Sequence, residues 1–146
     1  MATGIGIGID LVAVEGVAAS LAGSHRDHYL ERIYTEREVD DCRGPSGRIE
    51  PERLAARFAA KEATIKALPG AGEGVRLTGI EVVVRQSGQV AIELSGRAAE
   101  LAAEAGIEDL ALSLTHEGGF AAAVVVGLGD PAPTVMPRPN LPISRQ

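Results

Sequence analysis

Pro51-Glu52-Arg53-Leu54-Ala55-Ala56-Arg57-Phe58-Ala59-Ala60-Lys61-Glu62-Ala63-Thr64-Ile65-Lys66-Ala67-Leu68 is the stretch on which the reading of this chain turns. Proline at a first helical position, followed by strong helix formers, predicts the chain's longest helix, over about 52–68. Pro69-Gly70-Ala71-Gly72-Glu73-Gly74 ends it in a glycine-rich loop. At about 100° per residue, Leu54, Phe58, Ile65 and Leu68 cluster on one apolar face. Glu62 lies roughly 60° and Lys66 roughly 100° from the centre of that face, so the two share one shoulder as an i,i+4 pair. A carboxylate there sits half-dry at the rim of the core, where a metal could hold it. The same pair on a solvated face would be an ordinary ion pair worth a few tenths of a kcal/mol. Lys61 and Lys66 are the only lysines, every other cation being arginine, and a compact ammonium suits a phosphate.

Upstream, Gly4 to Val14 alternates glycine with isoleucine and reads as a first strand with close backbone neighbours at its glycines. It is not a dinucleotide loop, because G-x-G-x-x-G begun at Gly6 needs glycine where Leu11 stands. A short helix is expected over Glu15 to Leu21. Thr35-Glu36-Arg37-Glu38 has the capping-box form and opens a helix to about Asp41. Downstream, Leu77 to Arg85 and Gln89 to Leu94 form a hairpin through Ser87-Gly88, a helix covers Arg97 to Ala105, and Leu110 to Leu114 and Phe120 to Leu128 are a closing pair of strands. Five prolines mark residues 130–146 as an extended tail outside a domain of residues 1–129. The order implies a single α+β domain with a mostly antiparallel sheet and a long central helix.

Composition narrows the function. With 146 residues, a formal charge of −6 and 3% aromatic residues, the chain lacks the basic face and stacking rings of a nucleic-acid binder. No apolar run approaches the length of a bilayer span, and the first residues lack a secretion signal. A lone cysteine, Cys42, fits a reducing compartment, so a cytoplasmic location is expected.

Asp10 interrupts an apolar strand, and a buried carboxylate needs a cation or several hydrogen bonds. Beside Glu62 it would complete a pair of oxygen ligands for Mg²⁺, which takes one or two protein carboxylates and fills its shell with water and phosphates; capping a helix or ending the strand is the alternative use. His116, entering the tight turn Glu117-Gly118-Gly119, could bind a phosphate or orient a nucleophile. Asp10, Glu62, Lys66 and His116, with Arg57 and Lys61 a turn away, describe a magnesium diphosphate site.

Three segments carry a family resemblance. Gly6-Ile7-Gly8-Ile9-Asp10-Leu11, Arg57-Phe58-Ala59-Ala60-Lys61-Glu62-Ala63 with Lys66, and Leu112-Ser113-Leu114-Thr115-His116 with Ala121 to Val126 resemble, in order, the motifs of the small holo-acyl-carrier-protein synthases, the short 4′-phosphopantetheinyl transferases. Ile33-Tyr34-Thr35 with Glu38 fits a fourth, and the match is collinear over about residues 4–128. The resemblance implies transfer of 4′-phosphopantetheine from coenzyme A to a serine of an apo acyl carrier protein of a fatty-acid, polyketide or peptide synthase, releasing adenosine 3′,5′-bisphosphate. It implies Asp10 and Glu62 as ligands of Mg²⁺ (or Mn²⁺), and Glu62, or a water on the metal, as the group that deprotonates the serine. Lys66 would neutralise the phosphate under attack. Arg57, Lys61, Lys66 and His116 would contact the phosphates of coenzyme A, with the loop containing Gly70 and Gly72 along the nucleotide. Members of this size resemble one another in forming homotrimers with active sites at subunit interfaces.

Two departures stand out. Gly16, beside Glu15, occupies a first-helix position where the family usually has arginine, and the hairpin turn reads Gly88-Gln89-Val90. The first implies either an atypical carrier or docking through Arg26, Arg32 or Arg43. The competing readings are a catalytically silent relative that binds coenzyme A or a carrier, and an unrelated magnesium nucleotide-binding module.

Overall fold

The computed structural model describes residues 4–71 and 74–130. Strand β1 (Gly4–Ala13) leads into helices α1 (Val14–Ala22), α2 (Arg26–Ile33), α3 (Glu36–Asp41) and α4 (Pro51–Ala67). A 3₁₀ turn (Leu77–Gly79) introduces the hairpin β2 (Ile80–Val84) and β3 (Val90–Leu94), followed by α5 (Gly96–Glu104), β4 (Asp109–Glu117) and β5 (Phe120–Gly129). All strand pairs are antiparallel, in one sheet ordered β1-β5-β4 and a separate β2-β3 pair. The α+β class and the long central helix hold, but the sheet is split in two.

The seam between β1 and α4 explains the glycine run. A Cβ at Gly8 would collide with the backbone carbonyl of Ala63, and one at Gly6 with that of Ala67. Glycine on one side and alanine on the other bring strand and helix backbones into direct contact. Ala59, Ala60, Ala63 and Ala67 are buried, together with Ala123 and Val125 of β5 and Val82 of β2. The expected apolar stripe on α4 is therefore incomplete. Phe58 and Ile65 are only half-buried, while the alanines form the core, because α4 is enclosed between the sheets and not laid on one of them.

Helix α2 is absent from the sequence reading. It contains no buried residue and its stretch Arg26-Asp27-His28-Tyr29-Leu30-Glu31-Arg32-Ile33 is mostly polar, so its periodic signal is weak. The capping box at Thr35 forms as read: the Thr35 side chain accepts from the Glu38 N–H at 3.2 Å, and Glu38 accepts from the Thr35 N–H at 2.9 Å. Strand β4 runs beyond Leu114 through His116 and Glu117, and the turn tightens to Gly118-Gly119, both at positive φ, as a two-residue hairpin requires. Gly72 and the tail beyond Asp130 lie outside the described residues. Among the described residues, no helix is long and apolar enough to cross a membrane.

Candidate active site

Asp10 follows Gly6 and Gly8 on the inner face of β1, so the glycine seam delivers its carboxylate to α4. Its Oδ1 accepts from Lys66 Nζ at 3.0 Å, and the same ammonium donates to the Ile9 carbonyl at 2.9 Å. The Asp10 side chain keeps 18% of its surface exposed and that of Lys66 54%. Glu62, half-buried, stands one turn before Lys66 on the shoulder anticipated for both. Lys66 turns to Asp10 and not to Glu62, which leaves the Glu62 carboxylate without an ion-pair partner among the described residues.

The residues present fit a divalent ion. Among the described residues no group of three or more His, Cys, Asp and Glu side chains is placed to hold a metal, so an ion here would have the Asp10 and Glu62 carboxylates as its protein donors. Two hard oxygen donors suit Mg²⁺, which leaves the rest of its shell to water and phosphate oxygens. A cation, the Lys66 ammonium, already stands against Asp10.

A second group assembles at the other end of α4. Arg57 is 6% exposed, and its Nε has no hydrogen-bond partner among the described residues; its NH1 donates weakly to the Arg53 carbonyl at 3.4 Å. A buried donor without an acceptor costs about 1–3 kcal/mol and calls for a missing partner. The side chain lines a cavity of about 280 Å³ with Arg53, Thr115, His116 and one carboxylate, Asp41. Arg53, whose Nε is 2.6 Å from Glu50 Oε2, and His116 line the same cavity as the orphaned guanidinium, a cationic setting that suits an anion. Arg57 and Glu62 are about 7.5 Å apart along the helix axis, so an anion in the cavity and a cation on the carboxylate pair would lie within the span of one ligand. Arg53 escaped the sequence reading because it interrupts no pattern; only the placing of α4 beside His116 of β4 reveals it.

Lys61 departs from expectation. It has no exposed surface, its Nζ lies 2.8 Å from Glu38 Oε2, and it donates to the carbonyls of Leu77 at 2.9 Å and Ile80 at 2.5 Å. Its three donors are consumed inside the core, so it offers coenzyme A no contact. Position along α4 decides this: Lys61 is about 100° round the helix from Glu62 and faces the β2 side. Burial drives its pKa below the ordinary lysine value, and Glu38 opposes that shift. Gly70, exposed and at φ +74°, turns the chain two residues after the Leu68 cap of α4, in a conformation glycine adopts readily.

Comparison with known proteins identifies the family. Residues 6–125 match the family described as the 4′-phosphopantetheinyl transferase superfamily. The chain is 43% identical over 122 residues to a holo-[acyl-carrier-protein] synthase of Frankia casuarinae, covering 84% of this chain and 95% of that protein. It is 42% identical over 125 residues to the synthase of the same name from Streptomyces avermitilis, covering 86% and 98%. Among solved structures, the Chronobacterium ammoniagenes ACPS-CoA complex superposes with a TM-score of 0.71 at 33% identity, over 86% of this chain and 98% of that one. The Bacillus anthracis holo-(acyl-carrier-protein) synthase in complex with CoA (3′,5′-ADP) gives 0.67 at 32%, over 88% and 100%. Sequence match, fold and a strand aspartate meeting a helix lysine converge on one conclusion: the chain belongs to the 4′-phosphopantetheinyl transferase superfamily.

Proposed function

We propose that the chain is a holo-[acyl-carrier-protein] synthase, moving 4′-phosphopantetheine from coenzyme A to a serine hydroxyl of an apo acyl carrier protein. The observation that carries the reading is the meeting of Asp10 with Lys66, one turn from an unpaired Glu62, in a chain so similar to synthases of that name. Asp10 and Glu62 would hold Mg²⁺, which when bound neutralises and aligns the diphosphate. Glu62, free of an ammonium partner, accepts the proton of the attacking serine. The serine oxygen forms a bond to the phosphorus that bears pantetheine, and the bond from that phosphorus to the bridging oxygen breaks. Lys66 follows the charge onto the departing adenosine 3′,5′-bisphosphate, a stabilisation greatest in the transition state. Arg57 and His116, with Arg53, receive the 3′-phosphate in the cavity at the start of the helix.

The outer face of β1 supports the homotrimer. Ile5, Ile7, Ile9 and Leu11 point away from α4 at 63–69% exposure, and Phe120, Val124 and Leu128 of β5 continue the patch. A monomer rarely leaves so contiguous an apolar face in water. Asp10 lies on the other side of this same strand, which supports an active site beside the interface.

The test is to mix the protein with coenzyme A, Mg²⁺ and apo carriers and weigh the carriers. A gain of one phosphopantetheine arm, abolished by Glu62→Ala or by a chelator, is expected. Coenzyme A binding with no mass gain on any carrier would instead favour a silent relative.

A further inference from the structure

Lys61 and Glu38 are both fully buried, and together they tie four segments to one point. Lys61 reaches from α4 to Glu38 at the start of α3, to Leu77 in the 3₁₀ turn and to Ile80 at the head of β2. Glu38 in turn accepts from the Thr35 N–H at Oε2 and from the Val82 N–H at Oε1, at 2.9 and 2.8 Å. Burying two charges this completely gains little net stability, and the best-attested use of such a pair is to fix register. On its opposite side α4 meets β1 through alanine packed on glycine, and the side-chain hydrogen bonds across that seam come from Lys66 itself, to the Ile9 carbonyl and Asp10.

We propose that the Lys61–Glu38 pair is a registry pin: it sets the rotation of α4 and thereby aims Glu62 and Lys66 at Asp10, making Lys61 a positioning residue. A rotation of about 10° displaces a side-chain end at a radius of about 5–6 Å by about 1 Å. A misplacement of that size costs on the order of 100-fold in rate. The proposal rests on the transferase reading for its kinetic consequence, but its structural consequence is independent of it.

Two variants test it in the full-length protein. Lys61→Met removes the pin, and Glu38→Met/Lys61→Met removes it without stranding a buried charge. In whichever folds by circular dichroism, the crystal structure is expected to show the Asp10 Oδ1 to Lys66 Nζ separation, 3.0 Å in the parent, opened beyond hydrogen-bond reach. Turnover is expected to fall on the order of 100-fold with little change in KM for coenzyme A. That loss should shrink on a Lys66→Ala background, because a pin that acts partly through Lys66 is not additive with its removal. A folded variant that keeps the separation, or keeps turnover, or loses it additively overturns the proposal. Failure of both variants to fold overturns it as well, since the pair then holds the domain and not the aim of one helix. An inactive parent protein would end the transferase reading alone, and the Asp10 to Lys66 separation would still decide the pin.

Discussion

The unpartnered Nε of Arg57 is the most informative single atom outside the carboxylate pair. A guanidinium buried to this extent gains from an anion more than an exposed arginine does, because water does not compete for it. Arg57→Ala is expected to weaken coenzyme A binding by about 1.5–3 kcal/mol, or about 10- to 100-fold, with a smaller effect on turnover. Dephospho-coenzyme A should bind the parent poorly and be almost indifferent to the substitution. Equal losses with both ligands would move Arg57 to the diphosphate. Cys42 sits nearby with no exposed surface, and burial pushes its thiol up to about 11, against the lowering influence of Arg57. Its thiolate fraction at pH 7 is then roughly one in ten thousand. Thiol reagents should leave the native protein unmodified at neutral pH and label Cys42 completely once it is unfolded; rapid native labelling would show an open core.

Among the elements, the β1–α4 seam governs both stability and the site. Gly8→Ala places a methyl group against the carbonyl of Ala63, which is backbone and cannot rotate aside. Strand and helix must separate, at a cost near or above the upper end of the ~1–3 kcal/mol typical of overpacking. Urea denaturation should show that loss. Transfer activity should fall further than stability does, because Asp10 is only two residues along the displaced strand. Gly16→Ala, where an added Cβ meets nothing within 4 Å, is the matched control in a helix and should be neutral or slightly stabilising. The capping box belongs to this scale too. Its pattern in the sequence announced a helix start, yet the Glu38 side chain that closes the box also takes Lys61. That second duty is carried by residues far away in the chain and leaves no local trace.

At the scale of the whole molecule, the outer face of the three-stranded sheet is the surface on which the proposed trimer rests. Ile7, 69% exposed and central in the row of β1 side chains, becomes a charged obstacle at a self-association surface in Ile7→Glu. Sedimentation equilibrium is expected to find a trimer for the parent and a monomer for the variant, with secondary structure retained. A monomeric parent at micromolar concentration would remove the trimer from the proposal and leave the apolar face unexplained.

Local periodicity and spacing were enough to determine the long helix, the glycine-bearing first strand, the capping box, the closing hairpin and the candidacy of Asp10, Glu62, Lys66, Arg57 and His116. Those features rest on patterns within a few residues of one another, where propensity, turn chemistry and an interrupted apolar run are visible. Tertiary structure alone decided that Lys66 turns to Asp10, that Arg57 lies with its Nε unpaired beside His116, and that Lys61, one residue from Glu62, faces the core. A rotation of about 100° per residue separates neighbours on a helix, and which side becomes core depends on what packs there. For α4 that was settled by strands more than ten residues away in either direction, enclosing it from both sides.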